Sequence, residues 1–153
     1  MQRRKYDKKE ALSKLMKYCS YQDRCHKEVE SKLREWFIWG EDRDEIVYEL
    51  MQHDFLNEER FARSYVRGKF KIKKWGRIKI KSGLKEKGIT DNLIRIAMKE
   101  IDEDAYFNTL KNELEKKQKS LSEDNEFIKN KKVAEHLIRR GFEADLVWQF
   151  LKS

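Results

Sequence analysis

Proline is absent from the 153 residues, and only six glycines and two cysteines occur. Without proline, long helices meet no obligatory break, and a sheet protein loses much of its usual turn chemistry. Cys19 and Cys25 are too few for a disulfide framework, so reduced thiols in a cytoplasmic protein are expected. No apolar run approaches the ~18 residues that a membrane-spanning helix needs, so no membrane partner is expected. The opening residues, MQRRKYDKKE, hold no apolar segment of the kind a secretory leader carries. Also missing are a phosphate-cradling glycine loop, a nucleophile elbow and a zinc-protease motif. The chain reads as a non-enzyme without a cofactor.

What is present is charge and helical periodicity. Charged residues make up 42% and hydrophobic residues 39%, enough apolar material for a core beneath a very polar surface. Lysine and arginine number 36 against 28 acids, a net charge of +8 that permits a polyanionic partner without establishing one. Ala11, Leu12, Leu15, Met16 and Cys19 form an apolar stripe at helical spacing. Ser20 or Asp23 is expected to cap a second helix carrying Val29, Leu33, Trp36 and Phe37, which Trp39-Gly40 would end. A third helix follows the acidic residues 41–45, with Ile46, Val47, Leu50 and Met51.

The same plan recurs. Asn57 can cap a helix with Phe61, Ala62, Tyr65, Val66 and Phe70. Ile80 and Leu84 mark the next helix, which Gly88 ends in a left-handed conformation. Thr90 or Asp91 caps another, with Leu93, Ile94, Ala97 and Met98. Tyr106, Leu110 and Leu114, then Val133 and Leu137 before Gly141-Phe142, then Leu146, Val147 and Phe150 complete a third pass. Val29, Ile80 and Val133 align, as do Leu33, Leu84 and Leu137. The period is about fifty residues, so the expected fold is all-α: three tandem three-helix repeats, 1–54, 55–101 and 102–153, stacked into an elongated, curved array. Residues 69–81 alternate polar and apolar around Trp75-Gly76 and on their own also fit a β-hairpin. The repeat alignment requires a helix at Ile80 and Leu84 instead.

Between residues 67 and 87, ten basic residues meet one acid, Glu86. Arg67, Lys69, Lys71, Lys73, Lys74, Arg77, Lys79 and Lys81 are the candidate contacts, with Phe70 and Trp75 interleaved. Cations neutralise phosphates and aromatic rings stack on bases. Arg139 and Arg140 form a smaller candidate cluster, although cations also suit a helix C-terminus. Lys71, Lys73, Lys74 and Arg77 are expected to serve function and not folding. Carboxylates at 41–42, 58–59 and 102–104 fall where helix N-termini are expected, which accounts for them without metal catalysis. Cys19, Cys25 and His26 lack the spacing and the fourth ligand of a zinc site.

In order along the chain, Asn57-Glu58-Glu59-Arg60-Phe61-Ala62, Lys74-Trp75-Gly76-Arg77-Ile78, Leu84-Lys85-Glu86-Lys87-Gly88-Ile89 and Leu137-Ile138-Arg139-Arg140-Gly141-Phe142 resemble the RecX family of bacterial recombination regulators. The family usually has paired aspartates where Glu58-Glu59 stands, and a glycine where Phe37 stands. The resemblance covers nearly the whole chain. It implies an all-helical repeat monomer whose partner is the RecA recombinase and its filament on single-stranded DNA. It further implies inhibition of RecA's ATP hydrolysis, strand exchange and filament extension, within DNA repair, homologous recombination and the SOS response. The competing expectation is a stand-alone basic helical-repeat protein that binds nucleic acid.

Overall fold

The computed structural model describes residues 3–153, and among them there are nine helices and no strand. They are α1 (Lys8–Tyr21), α2 (His26–Glu35), α3 (Gly40–Gln52), α4 (Glu58–Lys71), α5 (Arg77–Glu86), α6 (Asp91–Met98), α7 (Glu103–Ser120), α8 (Glu126–Arg139) and α9 (Ala144–Lys152). The hairpin alternative at residues 69–81 is replaced by the end of α4, a turn and the start of α5.

Local chemistry starts these helices. The side chains of Asp7, Asn57, Thr90, Asp102 and Asn125 each accept a backbone N–H from the first turn of the helix that follows. Acids occupy the first turns of α3, α4 and α7, opposing the positive end of the helix dipole. The start of α2 differs from expectation. Cys25 is its N-cap, and the Cys25 N–H donates to the Glu28 carboxylate at 3.0 Å. Ser20 instead donates back to the Met16 carbonyl, and Asp23 is engaged by Arg60 and Ser64 of α4.

Helix ends follow one device. After α2, α3, α4, α5 and α8, a residue in the left-handed region turns the chain, and the next N–H donates back to the last turn. Ile38 reaches Leu33 at 2.9 Å, Ile89 reaches Leu84 at 3.1 Å and Phe142 reaches Leu137 at 3.1 Å. Gly88 and Gly141 hold that position as expected, with φ of 79° and 101°. Phe37, Asp54 and Lys74 hold it elsewhere, each at φ 58°. The turn that ends α2 therefore lies at Phe37, before Trp39-Gly40, and Gly40 opens α3.

The aligned residues Val29, Ile80 and Val133, and Leu33, Leu84 and Leu137, are all fully buried. The most closely packed helix pairs all lie within one set of three helices, such as α1 with α3, α4 with α6 and α7 with α8. A chain built this way is quasi-linear. Its accessible surface is 10024 Å², against about 8,300 Å² for a compact globule of this mass. The excess fits an extended array.

The core is divided unequally. One cluster joins α1–α3 with Phe55 and Leu56. The other runs without interruption through α4–α9 and takes in Cys25. Besides the buried Cys25, polar contacts join α1–α3 to α4–α6. Arg60 donates to Asp23 at 2.7 Å, Ser64 to Asp23 at 2.8 Å and the His26 N–H to Glu58 at 3.1 Å. Partial burial works against the Asp23 charge, but the bonds from Arg60 and Ser64 outweigh it and hold the carboxyl below its ordinary pKa. A depressed carboxylate pKa adds stability that is complete above the unfolded value and is lost as pH falls through the folded one. This joint is therefore expected to weaken as pH falls through the folded value.

The joint between α4–α6 and α7–α9 is closed by backbone. The Gly76 N–H donates to the Arg140 carbonyl at 2.8 Å, and the Ile78 N–H to the Gly141 carbonyl at 3.0 Å. A β-carbon on Gly76 would sit 2.2 Å from the Gly141 carbonyl carbon, and one on Gly141 would sit 2.4 Å from Lys79 Cβ. Tyr106 lies beneath this crossing. It is fully buried, its hydroxyl donates to Glu143, and it accepts the Arg77 N–H at 3.0 Å.

Candidate nucleic-acid interface

The turn after α4 is where the basic residues gather. Lys71, Ile72, Lys73 and Lys74 are all exposed there, Ile72 at 79%. Arg140, at the end of α8, donates its guanidinium to the Lys73 carbonyl. Two basic clusters 67 residues apart in sequence are thereby one surface, with Arg139 exposed alongside. Trp75 is half-buried and lies between two cations: Lys69 Nζ is 4.7 Å and Lys79 Nζ 4.3 Å from its ring centroid. Beside the turn, Tyr65, Gly68, Lys69, Ile72 and Lys73 line a shallow cavity of about 240 Å³.

The ten candidate cations divide by what they touch. Arg67 pairs with Glu100 at 2.8 Å. Arg77 donates to Glu143 at 2.8 Å and lies over the Tyr106 ring at 4.0 Å. Arg140 has Glu113 at 3.7 Å as well as the Lys73 carbonyl. All three arginines have acidic partners within the fold, and Arg77 in particular is part of the joint. The expectation that Arg77 serves function alone is therefore corrected. Lys71, Lys73, Lys74 and Lys81 are exposed lysines, and Lys69 and Lys79 are held against Trp75.

Sequence reasoning missed the partners that sort these cations. Glu143 and Tyr106 lie far along the chain from Arg77, and nothing local marks them. It also missed Ile72, the apolar member of the basic turn. The cysteines are unsuited to chemistry here: both are buried, and burial pushes the Cys25 thiol up to about 11. Among the described residues, no group of His, Cys, Asp and Glu is arranged to hold a metal ion. Among the described residues, no helix is long and apolar enough to cross a membrane.

Lys74 bears on this surface through its backbone. An exposed left-handed position costs a lysine about 1 kcal/mol relative to glycine. Lys74→Gly is expected to raise the melting temperature by about 2–4 °C, in line with a gain of that size for a chain of this length. Calorimetry checks this, and a lower melting temperature would place the turn under other control. Strain held where glycine would relieve it points to a side chain kept for use.

Fold and surface together define a helical-repeat protein with a basic edge at the joint of its second and third sets of helices. Comparison with known proteins gives this class its family. The family model for the second three-helix domain of RecX matches residues 57–98, and that for the third matches residues 103–151. The crystal structure of RecX from Lactobacillus salivarius superposes with a TM-score of 0.85 at 30% identity, covering 95% of each chain. A regulatory protein RecX of Prosthecochloris aestuarii is 28% identical over 95% of this chain and 93% of its own. One of Bacillus mycoides is 28% identical over 90% of this chain but 51% of its own, so the chain spans about half the length of that relative. The chain belongs to the RecX family of regulatory proteins.

Proposed function

We propose that the chain is a negative regulator of the RecA recombinase, acting on the RecA filament assembled on single-stranded DNA. It would lower ATP hydrolysis, strand exchange and filament extension without chemistry of its own. Its three repeats, taken as 1–54, 55–101 and 102–153, lie along the partner. The observation that carries this reading, beyond family membership, is the single basic surface made by Lys71, Lys73 and Lys74 beside Arg139 and Arg140. An extended array offers such a surface to a long partner more readily than a globule does.

The test is RecA's DNA-dependent ATP hydrolysis with the chain added below stoichiometry. Wild type should slow turnover. Lys71, Lys73 and Lys74 changed together to glutamine should lower inhibitory potency about tenfold, taking three contacts at ~0.5 kcal/mol each. The loss should be greatest at low salt and shrink as salt rises. Helical circular dichroism should stay unchanged, because exposed lysines contribute little to stability. Undiminished inhibition by the variant at ~50 mM salt, where screening is weak, removes this surface from the interface. Unchanged ATP turnover with wild type, together with tight binding of bare DNA, supports a stand-alone nucleic-acid-binding protein instead.

A further inference from the structure

One face of α4 carries a glycine that the fold does not need. Gly68 lies within the helix, and its carbonyl accepts the Ile72 N–H at 2.9 Å. Glycine in such a place is destabilising relative to alanine. A β-carbon on Gly83 would run into the Tyr65 hydroxyl, and Gly88 has a positive φ, so contact or conformation accounts for those two. A β-carbon on Gly68 would meet nothing within 4 Å. Tyr65, Gly68, Lys69 and Ile72 follow one another at helical spacing on this face. With Ser64 and Lys73 they line the cavity of about 240 Å³ beside the basic turn. That volume is below the ~300–1,000 Å³ of sites that hold a whole small molecule, and it suits a single side chain. The bare backbone at Gly68 keeps the space open.

We infer that this cavity receives an apolar side chain from an acidic peptide segment, whose carboxylates pair with the lysines around it. Lys69 and Lys73 line the cavity, and Lys71 and Lys74 are exposed beside it. None of the lining residues is acidic, and the one hydroxyl of Ser64 is spent on Asp23. Charge alone would also admit nucleic acid, and the aromatic rings decide against it. Lys69 Nζ is 5.3 Å from the Tyr65 centroid and 4.7 Å from that of Trp75, and Lys79 Nζ is 4.3 Å from Trp75. Tyr65 also packs against Phe61 at 5.9 Å. The chain's own cations and core thus take up these rings, and a base finds no free one to stack on. What stays open is aliphatic: Ile72, with 79% of its surface exposed, and the lysine stems. The inference rests on the reading of the turn after α4 as a contact surface and adds the class of partner segment that this surface takes.

The experiment is fluorescence anisotropy of two labelled peptides with the whole chain and no recombinase. Both are short runs of glutamate, one with leucine at its centre and the other with serine in that place. Wild type should bind the leucine peptide about tenfold more tightly, the scale of one apolar side chain taken out of water. Gly68→Leu fills the cavity and should bind both peptides alike, with a melting temperature no lower than wild type. Gly68→Ala serves in case Gly68→Leu unsettles α4. It should narrow the preference and raise the melting temperature by about 2–4 °C, the scale of a helix glycine removed. Four results overturn the inference: equal binding of the two peptides by wild type, full preference kept by Gly68→Leu, a lower melting temperature for Gly68→Ala, or displacement of the leucine peptide by oligothymidylate as effective as by unlabelled leucine peptide. The two readings fail separately. Undiminished inhibition by the lysine variant defeats the turn as a contact surface, whereas equal binding of the two peptides defeats the cavity alone.

Discussion

Gly76→Ala is expected to separate α7–α9 from α4–α6, with a fall in melting temperature of about 6–20 °C. The added methyl would sit 2.2 Å from the Gly141 carbonyl carbon and 2.3 Å from the Phe142 nitrogen. These are backbone atoms, so no rotamer relieves the contact. The two segments must move apart, and the bonds from the Gly76 and Ile78 N–H groups to the Arg140 and Gly141 carbonyls lengthen or break. Overpacking costs ~1–3 kcal/mol, and each buried group left unpaired costs ~1–3 kcal/mol. A total of about 3–5 kcal/mol, at about 2–4 °C per kcal/mol for a chain this long, gives the stated fall. Calorimetry measures it. A variant melting within 2 °C of wild type, a margin of about 1 kcal/mol, would show that the joint opens without cost. Gly88 is the control: it has positive φ but nothing within 4 Å of its added β-carbon, so only conformational strain is at stake there.

Tyr106→Phe is expected to cost about 2 kcal/mol, or about 4–8 °C in melting temperature. The change keeps the ring and its contacts with Phe70 at 5.9 Å and Phe142 at 5.5 Å. It removes one hydroxyl. That hydroxyl donates to Glu143 and accepts the Arg77 N–H, so its loss leaves both groups short of a partner in a part-buried site. Burial, then the Glu143 carboxylate, pushes the phenol well above its ordinary value, so no ionisation of Tyr106 complicates the measurement. A melting temperature unchanged within about a degree, under 1 kcal/mol, would mean that solvent replaces the hydroxyl fully.

The repeat was legible because its apolar residues carry it. Val29, Ile80 and Val133 recur at one period and are buried for one reason, so alignment found them. Helix starts were legible where a side chain caps, as at Asn57 and Thr90. The start of α2 was not, because a cysteine stands at the cap and the bond comes from Glu28 behind it. Helix ends were legible where glycine marks them and hidden at Phe37, Asp54 and Lys74, whose identities do not announce a left-handed backbone. The basic stretch was visible as charge, but its division was not. Arg77 and Lys74 look alike in sequence, and only Glu143 and Tyr106, arriving from another repeat, make one a fastener and leave the other exposed.

The two joints differ in kind, and that difference sets the mechanics of the array. At Gly76 and Gly141 the segments are tied by directional backbone hydrogen bonds, which a change of angle would lengthen or break. Ion pairs such as Arg60–Asp23 tolerate a good deal, since long side chains follow a moving partner. The chain is thus expected to behave as a stiffer two-section beam carrying a more compliant end piece. Along a partner whose spacing varies, the beam would hold one fixed length while the end piece takes up the tolerance.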